Sequence, residues 1–170
     1  MKNKRILFSL VLGMFVSLLL LTSFCIGEAA DEEVIEKVTP TYLADLKPLA
    51  QSTEYIVNKD PEGNPLQTPK MKFKNGLCVT TNSELIYDLK GKYSKLQIAF
   101  GHSSAYPEFK GKLVFSILGD GKVLYESKSL GAQETEEITV KVAGVGHLAL
   151  RVSGQGANSR FIIWGEGLLY

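Results

Sequence analysis

The stretch Leu113-Val-Phe-Ser-Ile-Leu-Gly-Asp-Gly-Lys-Val-Leu-Tyr-Glu-Ser127 decides the fold. Leu113, Phe115 and Ile117 share one face of an extended run, and Gly119-Asp-Gly121 turns the chain into a second run. Two strand-like runs joined by a tight glycine turn predict an antiparallel hairpin, and the alternation of the first run puts one of its faces in a core. The same pattern recurs around it. Leu96, Ile98 and Phe100 alternate with Lys95, Gln97 and Ala99, and Ile138, Val140 and Val142 with Glu137, Thr139 and Lys141. Leu148, Leu150 and Val152 alternate with Ala149, Arg151 and Ser153. Asp60-Pro-Glu-Gly-Asn-Pro65 and Gly144-Val-Gly146 read as loops. Pro69-Lys-Met-Lys-Phe-Lys74 reads as an edge strand whose lysines guard against edge-to-edge pairing. The one helical signal is a short turn from Thr39-Pro40 through Tyr-Leu-Ala-Asp-Leu46, with Pro at its first position and Pro48 closing it. Strands at this spacing, with no long helix between them, predict one all-β domain, an antiparallel β-sandwich.

Upstream of the sandwich the chain changes character. Met1-Lys-Asn-Lys-Arg5 is basic, and residues 6–27 carry no charge. Gly27-Glu-Ala29 offers small residues for a cleavage site, so residues 1–29 read as a secretory signal peptide and 30–38 as a flexible, charged lead-in. The domain then occupies 39–170. The alternative is a membrane-tethered form, because 22 uncharged residues are long enough to span a bilayer. A lipid anchor on Cys25 fits poorly, since bulky Phe24 precedes it. Removing residues 1–29 takes away Lys2, Lys4, Arg5 and Glu28 and leaves 16 basic and 17 acidic residues. It also leaves one cysteine, Cys78, as a buried thiol or an intermolecular crosslink. An exported domain with one thiol has no internal disulfide and must stand on its core. At about 140 residues it buries about two-thirds of its unfolded surface, which suffices.

Charge and motif content narrow the function. A near-neutral balance excludes nucleic-acid binding by bulk charge. Catalysis finds few candidates. His102 and His147 are the only imidazoles, and neither G-x-S-x-G nor H-E-x-x-H occurs. Glu136 and Glu137 are strand neighbours and face opposite ways. No cofactor is expected, and no oxygen-ligand cluster supports a structural cation. Sugar recognition is better served. It needs a flat ring for the C–H face of the sugar and planar polar groups for the hydroxyls. Gly154-Gln-Gly-Ala-Asn-Ser-Arg-Phe-Ile-Ile-Trp164-Gly-Glu-Gly167 supplies those types. Trp164 is the one tryptophan, a stacking platform or, as the burial habit of tryptophan favours, a core residue.

Ile86-Tyr-Asp-Leu-Lys-Gly-Lys-Tyr-Ser94, Gly119-Asp-Gly-Lys-Val-Leu-Tyr-Glu-Ser127, Gly144-Val-Gly-His-Leu-Ala-Leu-Arg-Val152 and Trp164 together resemble the NPCBM family. These are carbohydrate-binding modules found attached to family 98 glycoside hydrolases and related to carbohydrate-binding module family 51. The likeness runs from Tyr42 to Tyr170. It implies a galactose-binding-like jelly roll and non-catalytic, extracellular recognition of glycans, galactose-type above all.

Two motifs depart from the family pattern. Gly76-Leu-Cys-Val-Thr-Thr-Asn-Ser83 has Cys78 where Gly is usual and Thr80 where His is usual. Arg160-Phe-Ile-Ile-Trp164 replaces an Asp-His-Ala-Asp-Trp run, while Glu166 stands where Asp is common. The fold is thus expected to be kept more faithfully than the site. The resemblance implies a carbohydrate site of Trp164, as platform or wall, with polar contacts from Thr80, Asn82, Asn158, Arg160 and Glu166. The expected partner is a glycan or polysaccharide. The alternative is a degenerate module that binds a cell-envelope or secreted protein and no sugar.

Overall fold

Strand order follows the alternation closely. The structure, a computed structural model, describes residues 39–155, 159 and 161–170, so the signal and lead-in expected over 1–38 lie outside the described residues. In chain order the strands are β1 (Thr41–Tyr42), β2 (Ala50–Gln51), β3 (Ile56–Val57), β4 (Gly76–Val79), β5 (Ser83–Asp88) and β6 (Lys95–His102). Then come β7 (Lys112–Gly119), β8 (Lys122–Glu126), β9 (Thr135–Lys141), β10 (His147–Gln155) and β11 (Ile162–Leu169). They form two antiparallel sheets. One runs β3-β4-β11-β6-β9, with β1 on β11; the other runs β2-β5-β10-β7-β8.

The β7–β8 hairpin closes on Asp120 and Gly121, whose φ angles of 49° and 78° match the twist of the paired strands. Asp120 adds a brace: its Oδ1 accepts from His147 N at 2.8 Å, tying the turn to the start of β10. The inward residues predicted from alternation meet between the sheets. Leu96, Ile98, Phe100, Leu113, Phe115, Ile117, Leu148, Leu150 and Val152 are all buried. His147 is exposed, as its parity requires.

Two local expectations are corrected. Lys70–Lys74 is no edge strand. It is a loop with one bridge, Gln67 to Lys72, folded over the outer face of the first sheet. There Phe73 and Leu66 pack with Cys78, Ala99 and Ile163 in a second apolar cluster. Hydrophobic contact with the sheet therefore outweighs pairing at its edge. The N-terminal helix is a single 3-10 turn, Leu43–Asp45, and Pro40 does not start it, because Thr41 and Tyr42 pair with Leu169 and Leu168 first. That pairing anchors the start of the domain beside its last strand.

Candidate functional site

At one end of the sandwich three connections converge: the β4–β5 turn (80–82), the β6–β7 loop (103–111) and the β10–β11 connection. Ser159 ties them together. Its carbonyl accepts from Thr81 N at 2.8 Å and from Thr81 Oγ1 at 3.1 Å, while its own N–H donates back to Thr81 Oγ1 at 2.8 Å. Its hydroxyl lies 2.8 Å from His102 Nε2. His102 Nδ1 sits 3.0 Å from the Ser103 carbonyl, which only accepts, so Nδ1 carries the proton and Nε2 accepts from Ser159. The imidazole is buried and stacks on Phe109 with centroids 4.3 Å apart. Burial pushes its pKa down, partly offset by the Ser103 bond. His102 is thus a neutral strut that positions loops.

What this end offers to solvent is different. Tyr106 is 44% exposed and lies over Phe161, rings nearly parallel and centroids 3.9 Å apart. The buried Phe161 holds one face of the phenol in a fixed pose. Asn82 is exposed at φ 58°, and its Oδ1 accepts from Gly154 N at 3.0 Å, leaving the amide N–H groups free to meet a ligand. Beside it lies an open cleft of about 250 Å³ lined by Ser52, Asn82, Glu84, Arg151 and Ser153. Arg151 Nη2 and Glu84 Oε1 pair across that cleft at 2.8 Å.

The expected site residues separate into groups. Asn82 is on this end and accessible. Thr80 is also here, but its hydroxyl is buried and makes no hydrogen bond. Asn158 and Arg160 lie outside the described residues. Trp164 is 1% exposed, so the platform reading of its ring is corrected. It meets Phe115 at 5.1 Å and Phe100 at 5.3 Å, both edge-on, in the centre of the core.

Glu166 belongs elsewhere as well. It sits at a β-bulge between Gly165 and Leu168 with φ 46°. Its Oε1 accepts from Lys74 N at 2.7 Å and Asn75 N at 3.0 Å, so the carboxylate fastens the covering loop to the sheet. It lies five residues from Phe161, about 16 Å along an extended strand. Tyr106 is not among the candidate residues the sequence singles out. Its signal was a tyrosine in a polar stretch, Ser103-Ser-Ala-Tyr-Pro107, directly after a strand.

Burial also settles Cys78, which is 2% exposed within the cluster under the loop. Desolvation, with Asp60 adding a smaller repulsion, pushes its pKa up to about 12. Among the described residues no group of three His, Cys, Asp or Glu side chains comes together to hold a metal, and no helix is long and apolar enough to cross a membrane.

Comparison with known proteins adds three findings. The model of the NPCBM/NEW2 domain matches residues 39–169. A protein named as an endo-alpha-N-acetylgalactosaminidase, from Renibacterium salmoninarum, is 31% identical over 99 residues, which is 58% of this chain. This chain spans 6% of that relative's length. Among solved structures, the CBM51 module of Clostridium perfringens GH95 in complex with methyl-galactose superposes with a TM-score of 0.69 at 21% identity, covering 78% of this chain and 100% of that one. The structure of CBM51-2 in complex with GlcNAc and INT domains from Clostridium perfringens ZmpB also gives 0.69, at 17% identity, covering 77% of this chain and 31% of that one. At these identities the structural likeness establishes the β-sandwich.

Proposed function

The chain belongs to the NPCBM/NEW2 domain family, and on that footing we propose that it is an exported, non-catalytic module that binds glycans, galactose-type units first, at the Tyr106 end of the sandwich. One observation carries the reading: an exposed tyrosine held flat against buried Phe161 at 3.9 Å, on loops fixed by the Thr81–Ser159–His102 hydrogen bonds. A ring already immobilised loses little entropy when a sugar stacks on it, and its open face suits the sugar's C–H groups. Asn82 supplies amide donors for hydroxyls from the same end. Asn158 and Arg160, on either side of Ser159 in the sequence, are the further polar contacts we assign to it.

Among the described residues at this end none is set up for catalysis. His102 is buried, neutral and spent on Ser159 and Ser103, so it holds no proton for a substrate. Few contacts on a shallow surface mean weak affinity for one sugar unit. Residues 1–29 would direct export and then be removed.

A second reading, an envelope interaction domain without sugar binding, draws on a specific observation. Trp164 and Glu166, both expected in a sugar site, are consumed by the fold. A glycan-array screen decides between them. Capture of galactose-terminated glycans by the folded chain supports the first reading; a silent array from a folded chain overturns it in favour of protein partners.

A further inference from the structure

Away from the loop end, the outer face of the first sheet carries a groove of about 310 Å³, at the low end of the size range of small-ligand clefts. Its origin is architectural. The loop over residues 58–75 covers only part of that face, and where the cover stops, at Met71 and Glu166, the β11 bulge leaves a step. Tyr42, Gln97, Glu137, Leu168 and Tyr170 line the rest.

The chemistry of these groups is specific. Gln97 Nε2 donates to Glu137 Oε1 at 3.0 Å, which orients both side chains and leaves the second Glu137 oxygen and the Gln97 carbonyl as acceptors. Glu166 is held by backbone donors of the covering loop, so the wall it forms is rigid. Tyr170 is fixed by the Lys95 ammonium, 4.0 Å from its ring centroid. Tyr42 stands on β1, paired with Leu168 across the groove's floor. The set is two phenol rings, fixed acceptors and an amide, with carboxylates that repel an anion.

We infer that this groove is a second carbohydrate-contacting site, taking an uncharged hexose or N-acetylhexosamine unit. Hydroxyls of the sugar donate to Glu137 and Gln97 while its C–H face lies against Tyr42 or Tyr170. Acidic sugars are excluded by Glu137 and Glu166. Glu166 and Leu168 on its wall are five and seven residues beyond Phe161, so the groove stands about 16–23 Å along the strand from the loop end and works independently of it.

The test is a titration of the purified, isotope-labelled chain with methyl-galactose and, separately, N-acetylglucosamine, following backbone amide resonances. One set reports the groove (Gln97, Glu137, Leu168) and another the loop end (Thr81, Ser103, Tyr106). The expected result is a saturable shift in the groove set with at least one of the two sugars. Glu137→Ala and Tyr42→Ala should each weaken it by about fivefold or more, with the loop-end response unchanged. Glucuronic acid at the same concentrations should shift neither Gln97 nor Glu137. No groove response to either neutral sugar overturns the inference, whatever the loop end does. A response that survives both substitutions, in chains whose thermal melts show them folded, overturns it too. A groove response beside a silent loop end supports this site and counts against the function proposed above.

Discussion

Trp164→Ala separates a core tryptophan from a binding one. The indole is 1% exposed, between Phe100 and Phe115. A buried ring of about 200 Å² contributes about 5 kcal/mol at about 25 cal/mol/Å², of which an alanine methyl retains about 1. The loss is therefore about 4 kcal/mol, inside the range of about 3–5 kcal/mol for large aromatic-to-alanine changes in cores. Two edge-to-face contacts disappear with it and push the figure toward the upper end. For a domain of this size that corresponds to a melting temperature lower by about 12–20 °C. Trp164→Phe, which keeps a ring in place, should lose about 1–2 kcal/mol. Thermal and urea unfolding followed by far-UV circular dichroism measure both. A Trp164→Ala chain that melts within about 3 °C of wild type would refute the core placement and return the ring to the surface.

Three further outcomes follow from buried groups. His102 is held neutral, its pKa below the usual value of about 6.5 through burial. The unfolded chain therefore takes up a proton near pH 6.5 that the folded chain refuses. Stability is complete above that pH and declines as pH falls toward the folded pKa. Urea midpoints between pH 7.5 and 5.0 should show the decline, and its persistence in full in His102→Asn would assign it to another group. Cys78, raised to about 12 by burial and by Asp60, should be inert to a thiol reagent at pH 8 in the folded chain and react once urea unfolds it; rapid native-state labelling contradicts this. Gly165→Ala would drive its methyl into the Phe73 ring and should cost about 1–3 kcal/mol. A thermal melt checks this, and pairing it with Phe73→Leu should recover part of the loss.

β9 and β10 were legible because they bury one face and expose the other, so residue type and parity carry the same message; the β7–β8 hairpin was legible from its glycine turn, although β8 itself lies largely in solvent. β11 was not, for two physical reasons. Its middle is buried on both faces, Ile162 and Trp164 in the main core and Ile163 under the Phe73 loop, so alternation there says nothing of inside and outside. The bulge at Glu166 then breaks the strand's alternation, so Trp164 points into the core while the Glu166 carboxylate reaches the covering loop. Lys70–Lys74 misled similarly: its alternation suits a strand, yet Phe73 finds a better place flat over Gly165 than in a ladder. Asn82 came into view only through the family resemblance of Gly76–Ser83, and the fold then sets it in the β4–β5 turn at the sandwich end. Tyr106 was passed over because its partner, Phe161, is 55 residues away in sequence, and only the fold brings the two rings together.

The most direct test of the central claim is glycan binding by Tyr106→Ala beside wild type, read by titration with methyl-galactose and by glycan array, with thermal melts of both. Tyr106 is 44% exposed, so the account predicts a melting temperature within a few degrees of wild type and binding weakened by about tenfold or more, the loss of one stacking contact. Undiminished binding in the folded variant would contradict the assignment of the site to the Tyr106 end of the sandwich.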